Sequence, residues 1–299
     1  MQLFGLWVWV LSLSVLPFVF TAWLWKRRVK SKSDWALTTS VVAAFALLAF
    51  LAAPWAMISC YLRFILAPFF ALALYFSYRK NKAIPKRQPY SVGERIANFV
   101  KAIALLLLLL LNVLVIKGYF IPVSSVELAF PLSGGDYYVI PNPLHRDGSY
   151  PSQEWYALDI VKLNAAGSRA TGVYPTELTA YAIYEETVYS PCDGEVIEVF
   201  DGVPDNPIGN VGKHPSNHVV VRCKGLRVTL AHLMNGSFLI QNGQIVREGQ
   251  PLAKVSNSGH TSEPHLHIDA VRDANGSSGE PVAISFGGRV LSWNSVIRR

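Results

Sequence analysis

The chain has 299 residues, 51% of them hydrophobic, a net charge of +7 and a mean hydropathy of +0.28. The charge is split unevenly: residues 1–116 hold 13 Lys and Arg against two acids, Asp34 and Glu94, whereas residues 117–299 hold 14 against 18. The polar half therefore lacks the basic surface that replaces phosphate counterions, which excludes nucleic-acid binding.

A helix needs about 20 apolar residues to cross a bilayer. Four segments meet that length: Leu3 to Trp25, Leu37 to Met57, Cys60 to Tyr78 and Ile96 to Val115, with a tight turn expected near Pro54 to Ser59. Lys26, Arg27, Arg28, Lys30 and Lys32 follow the first segment; Arg79, Lys80, Lys82, Lys86 and Arg87 follow the third. Basic loops stay cytoplasmic, so both loops place the chain from Lys117 onward outside the cytoplasmic membrane, as in a periplasm. A cleaved signal peptide fits poorly, because Met1 to Val10 carries no charge and Trp25-Lys26 is a poor cleavage site. Arg63 and Lys101 lie near helix ends, where their heads can snorkel to the interface. The segments contain few of the intramembrane charges that mark a transport path.

From Lys117 the pattern changes to short β-type runs separated by turn signals. Examples are Tyr137 to Ile140, Tyr156 to Val161, Glu195 to Phe200, His218 to Arg222, Arg227 to Leu233 and Leu266 to Val271, with turns at Gly134-Gly135, Asp193-Gly194 and Asn235-Gly236. The expected architecture is four N-terminal transmembrane α-helices over 1–116, followed by an all-β or β-dominated domain over 117–299. Asp201 to Ser216 reads as a surface loop, with Asn217 ordering the chain beside it. Cys192 and Cys223 each border a strand, and an oxidising compartment permits a disulfide between them.

All seven histidines fall between residues 145 and 267. In Pro264-His265-Leu266-His267 the two imidazoles are two residues apart and share one face of a strand. His232 ends another strand, and Asp159 lies in a third among apolar neighbours, where its charge must be met by a partner. A divalent metal meets that need, and zinc in hydrolases takes His and carboxylate ligands while leaving a position for water. No His-Glu-x-x-His helix, phosphate loop or Gly-x-Ser-x-Gly elbow occurs.

The run Ser256-Asn257-Ser258-Gly259-His260-Thr261-Ser262-Glu263-Pro264-His265-Leu266-His267 resembles the signature of the lysostaphin-type zinc metallopeptidases. Ala231-His232-Leu233 resembles that family's single-histidine strand, and Ser190 to Val196 and Val246 to Leu252 resemble its hairpin segments. The likeness covers about 130 to 271. It implies an antiparallel groove holding one Zn2+ and endopeptidase action on peptidoglycan peptides. By position, Asp159 and His267 become zinc ligands, and His232 and His265 become groove residues that assist the attacking water and stabilise the oxyanion.

One position departs from the pattern. The family's first ligand, a histidine four residues before the aspartate, is Trp155 here. His145 is the favoured replacement ligand, with Glu154 or Gln153 as alternatives. The resemblance therefore leaves two readings: a membrane-anchored zinc endopeptidase, or a silent domain of the same fold that binds or regulates other wall hydrolases. His260 is expected to be turn-bound or groove-lining. His214 and His218 flank the Pro/Asn loop, and His218 is a candidate to reach the groove.

Overall fold

A computed structural model describes residues 2–119, 124–140, 156–272 and 279–299. The chain divides into two units, residues 1–55 with 59–121, and residues 56–58 with 122–299.

The first unit is helical. Helix α1 (Gln2–Val10) runs through a π-turn at Leu11–Val15 into α2 (Leu16–Lys26). The π-turn lies where Pro17, lacking an N–H and crowding the preceding turn, disrupts regular α-helical bonding. Helices α3 (Lys32–Ala52), α4 (Cys60–Asn81) and α5 (Val92–Tyr119) follow. Among the described residues, four helices are long and apolar enough to cross a membrane: Trp7–Lys26, Lys32–Ala52, Cys60–Asn81 and Val92–Tyr119.

Each start has a local cause. Ser31 caps α3 by accepting from the Asp34 N–H at 3.2 Å, and Ser59 caps α4 by accepting from Tyr61 at 3.3 Å. Helix α5 begins four residues before the apolar run because Ser91 and Glu94 form a capping box. Glu94 N–H donates to Ser91 Oγ at 3.3 Å, and Ser91 N–H donates to Glu94 Oε2 at 2.9 Å. Lys101 does not simply snorkel: its ammonium pairs with Asp34 in the first turn of α3 and reaches Thr38 Oγ1 at 3.3 Å. Asn112 bridges α5 to α3 by donating to the Ala44 carbonyl at 2.9 Å. In a lipid environment such interhelical hydrogen bonds would replace the missing hydrophobic drive between helices.

The second unit is built of strands: β1 (Ser125–Glu127), β2 (Asp136–Val139), β3 (Leu158–Leu163), β4 (Thr187–Tyr189), β5 (Gly194–Phe200), β6 (His218–Cys223), β7 (Leu226–Ala231), β8 (Ile245–Val246), β9 (Pro251–Lys254), β10 (Leu266–Arg272), β11 (Ala283–Phe286), β12 (Arg289–Val290) and β13 (Val296–Arg298). Eight form one antiparallel sheet in the order β13-β2-β3-β10-β7-β6-β5-β8. Strands β4 and β9 form a two-stranded sheet, and β1-β11-β12 a three-stranded one in which β1 and β11 run parallel. The β-rich expectation holds, with that parallel pair as the exception to an antiparallel design.

Alternation sorts the large sheet into two faces. Tyr137, Val139, Leu158, Ile160, Val219, Val221, Val228, Leu230, Leu266 and Ile268 point into one core, which also takes in Val188, Leu252, Ala253, Ile284 and Phe286 from the smaller sheets. Residues one position away on the same strands face the other side.

Cys192 and Cys223 are joined in a disulfide with Cα atoms 6.1 Å apart, closing a span of 31 residues around the β5–β6 hairpin. Loop-closure entropy assigns such a link about 3–4 kcal/mol. Replacing both cysteines by alanine is expected to lower unfolding stability by about that amount. Denaturant titration checks this, and an unchanged midpoint would contradict it.

Candidate active site

The core-averse face of the large sheet carries the histidines because of register. His267 on β10 pairs directly with Asp159 on β3, and Ala231 on β7 is the opposite neighbour of His267. Leu266, Ile268 and Ala270 go into the core, so His267 and Asp269 face away from it. His267 Nδ1 lies 2.9 Å from Asp159 Oδ1, and His265 Nε2 lies 3.6 Å from the same oxygen.

His232 follows the last residue of β7 with φ +63°. This left-handed backbone costs a non-glycine residue about 1 kcal/mol or more. It turns the ring back over the sheet end, 4.5 Å from the His265 ring and 5.9 Å from the His267 ring between centroids. Asp159, His232, His265 and His267, drawn from three strands, thus meet at one place.

The turn 256–263 sets the ring tautomers. His232 Nδ1 lies 2.9 Å from the Ser258 carbonyl oxygen, and His265 Nδ1 lies 2.9 Å from that of Glu263. A carbonyl only accepts, so both rings donate through Nδ1–H and keep Nε2 as the basic nitrogen. Burial pushes His232 well below the ordinary histidine range, and the neighbouring His265 and His267 push it further down, so its ring is neutral at pH 7. Burial also opposes charge on His267. There, hydrogen bonds to Asp159 and Asp269 outweigh burial and hold its pKa well above the ordinary range. Asp269, whose Oδ2 lies 3.4 Å from His267 Nε2, was not singled out from the sequence. Its signal was available: it extends the two-residue spacing of His265 and His267 by one step.

Residues 178–283 match peptidase family M23. The chain carries a peptidase family M23 domain. The matched stretch contains His232, His265 and His267, and Asp159 precedes it. Among solved structures the chain is similar to the catalytic domain of the antimicrobial peptidase lysostaphin from Staphylococcus simulans, at 17% identity over 49% of this chain and 85% of that one, TM-score 0.30. It is also similar to a zinc-containing peptidase from Vibrio cholerae, at 21% identity over 42% and 48%, TM-score 0.26. A third is Csd3 of Helicobacter pylori, at 18% identity over 53% and 32%, TM-score 0.29. The chain thus spans about half the length of the Vibrio protein and a third of Csd3. No curated protein matches the chain.

The donor set suits a zinc ion in part. Asp159 Oδ1 and His267 Nδ1 are a carboxylate and an imidazole from adjacent strands, both kinds that zinc accepts, and they converge to 2.9 Å. Among the described residues no group of three His, Cys, Asp or Glu is disposed to hold a metal. His145, Glu154, Gln153 and Trp155, where the sequence places the third ligand or its loss, lie outside the described residues.

Among the described residues, the other histidines do not join the cluster. His218 shares the face but stands two strands from β10. Its Nδ1 donates to the Ser216 carbonyl at 2.8 Å, its Nε2 lies 3.2 Å from Glu198 Oε1, and its ring stacks on Phe200. His214 and His260 are exposed.

The M23 turn is held from both sides. Gly259, at φ +80°, lies so close to the backbone of Ser216 that an added Cβ would sit 2.3 Å from Ser216 Cα. Asn217 is fully buried; its Oδ1 accepts from Val203 N–H at 2.9 Å, and its Nδ2 donates to the carbonyls of Val203 at 2.7 Å and Leu233 at 3.0 Å. It thereby ties the loop after β5 to the residue that follows His232. Asn217→Ala strands these groups and is expected to cost about 1–3 kcal/mol. A shift in unfolding midpoint measures it; stability equal to the parent would remove Asn217 from this role.

Proposed function

We propose that this chain is a zinc-dependent endopeptidase that cuts peptide bonds in cell-wall peptidoglycan and is held by four membrane helices with its M23 domain outside the cytoplasmic membrane. The observation that carries the reading is the convergence of Asp159, His232, His265 and His267, with both flanking imidazoles presenting Nε2 as a base. Asp159 and His267 would be zinc ligands, and His145 the third. The ion, when bound, supplies Lewis-acid activation of water and of the scissile carbonyl.

The chain's own part is proton management and orientation. Nε2 of His232 or His265 accepts a proton from the attacking water, and the resulting imidazolium returns it to the leaving amine nitrogen. An imidazolium beside the tetrahedral centre also offsets oxyanion charge. Asp269, on the far nitrogen of His267, fixes that ring in the manner of a carboxylate behind a metal-bound histidine.

Trp155 favours a second reading, in which the domain is a catalytically silent partner of other wall hydrolases. Against it stands the assembly of four polar groups on a sheet face that folding alone does not require. Metal content decides between them: the full-length protein, purified in detergent, is expected to hold one zinc per chain, and a negligible content at neutral pH would favour the silent module. His267→Ala is expected to abolish zinc binding. His232→Ala and His265→Ala are expected to keep zinc and lower kcat about 10²- to 10⁴-fold; release of zinc by either would reverse the assignment of roles.

The outward orientation is supported by the two basic loops and by the Cys192–Cys223 disulfide, a bond that persists in oxidising compartments. A single cysteine introduced at the Asn235-Gly236 turn is expected to react with a membrane-impermeant maleimide in intact spheroplasts. Protection until lysis would place the domain inside.

A further inference from the structure

Arg169 lies between β3 and β4, is 1% exposed, and takes no part in the chemistry above. Its guanidinium grips Glu263 at two points, Nε to Oε1 at 2.8 Å and Nη2 to Oε2 at 2.6 Å. Nη1 donates to the Val173 carbonyl at 3.0 Å, and the group lies 5.5 Å from the centre of the Tyr181 ring. Such a fork fixes its carboxylate partner in direction as well as distance, which a lysine cannot reproduce. A buried ion pair contributes little net stability over apolar residues of the same size; what this one adds is the orientation of its carboxylate partner.

What it orients is two residues from the base. The Glu263 carbonyl accepts from His265 Nδ1 at 2.9 Å and from Thr261 Oγ1 at 2.8 Å. Pro264, between Glu263 and His265, has its φ locked by the ring, so little freedom separates the clamped glutamate from the imidazole.

We propose that Arg169 and Glu263 are positioning residues: their buried clamp holds the Glu263 carbonyl where it accepts a hydrogen bond from His265 Nδ1–H, which leaves Nε2, 3.6 Å from Asp159 Oδ1, as the basic nitrogen. The clamp joins a loop 94 residues upstream to the turn that carries the base. Neither residue touches the reacting atoms. The effect on turnover rests on the endopeptidase reading; the effect on the ring does not.

The test uses the full-length protein in detergent, labelled with ¹⁵N-histidine. Arg169→Met alone leaves a buried unpaired carboxylate and can fail to fold, so the informative variant is the double replacement Arg169→Met with Glu263→Met, which removes both charges and keeps the backbone carbonyl. Arg169→Lys retains the charge without the fork. In the parent, ¹H–¹⁵N spectra are expected to show His265 as the Nδ1–H tautomer. In the double variant a mixture of tautomers is expected, with zinc content unchanged, KM unchanged within about twofold and kcat lowered about 10- to 100-fold, the scale of a misplaced catalytic group. Arg169→Lys is expected to fall between. A folded double variant that keeps the single tautomer and parental kcat overturns the proposal. Should the parent itself show no turnover, the endopeptidase reading fails, and the tautomer measurement still decides this one.

Discussion

The pairing of Asp159 with His267 across β3 and β10 is the constraint from which the rest follows. A slip of one residue between these strands would exchange the faces of β10. His265, His267 and Asp269 would enter a core built from Leu158, Ile160 and Leu230, and Leu266, Ile268 and Ala270 would be put out of it. Burying an unpaired polar group costs about 1–3 kcal/mol, and each exposed aliphatic side chain forfeits a comparable amount. The apolar face thus enforces the register that brings the polar groups together.

Strand pairing places the rings; the turn 256–263 aims them. Two of its carbonyls, Ser258 and Glu263, accept hydrogen bonds from the Nδ1–H groups of His232 and His265. Loops are usually mobile relative to the elements they join, and a wandering carbonyl would release its ring to either tautomer. This turn is pinned on several sides: Ser258 Oγ donates to the Leu233 carbonyl at 2.7 Å, Asn206 Nδ2 donates to the carbonyls of Gly259 at 2.6 Å and Thr261 at 3.1 Å, and Arg169 holds Glu263. Hydrogen bonds from buried and half-buried side chains replace the rigidity that a ladder gives a strand.

The sequence made the periodic features visible and hid the singular ones. Four apolar helices, the alternating strands and the two-residue spacing of His265 and His267 repeat with a known period, and the structure places them accordingly. The start of α5 was placed too late because hydropathy marks where apolar residues begin, while the helix begins at the capping box of Ser91 and Glu94, which lies in water-compatible sequence. Arg169 gave no signal, since an arginine in a Gly- and Ser-containing loop normally reads as solvated. Only its distant partner Glu263 explains its burial. The parallel pairing of β1 with β11 joins segments some 158 residues apart and has no local signature. His145 and Trp155 lie outside the described residues, so the third ligand rests on the sequence alone.

Charge balance on the polar face bears on what it accepts. Burial, with the His265 and His267 rings both within 6 Å of it, holds the His232 ring neutral. Asp159 and Asp269 bring two negative charges to the two nitrogens of His267, whose proton offsets only one of them. A divalent cation taking Nδ1 in place of that proton would neutralise both carboxylates while leaving His232 neutral. A third histidine ligand preserves this balance and a third carboxylate overturns it, which is the physical ground for preferring His145 to Glu154 as the completing residue.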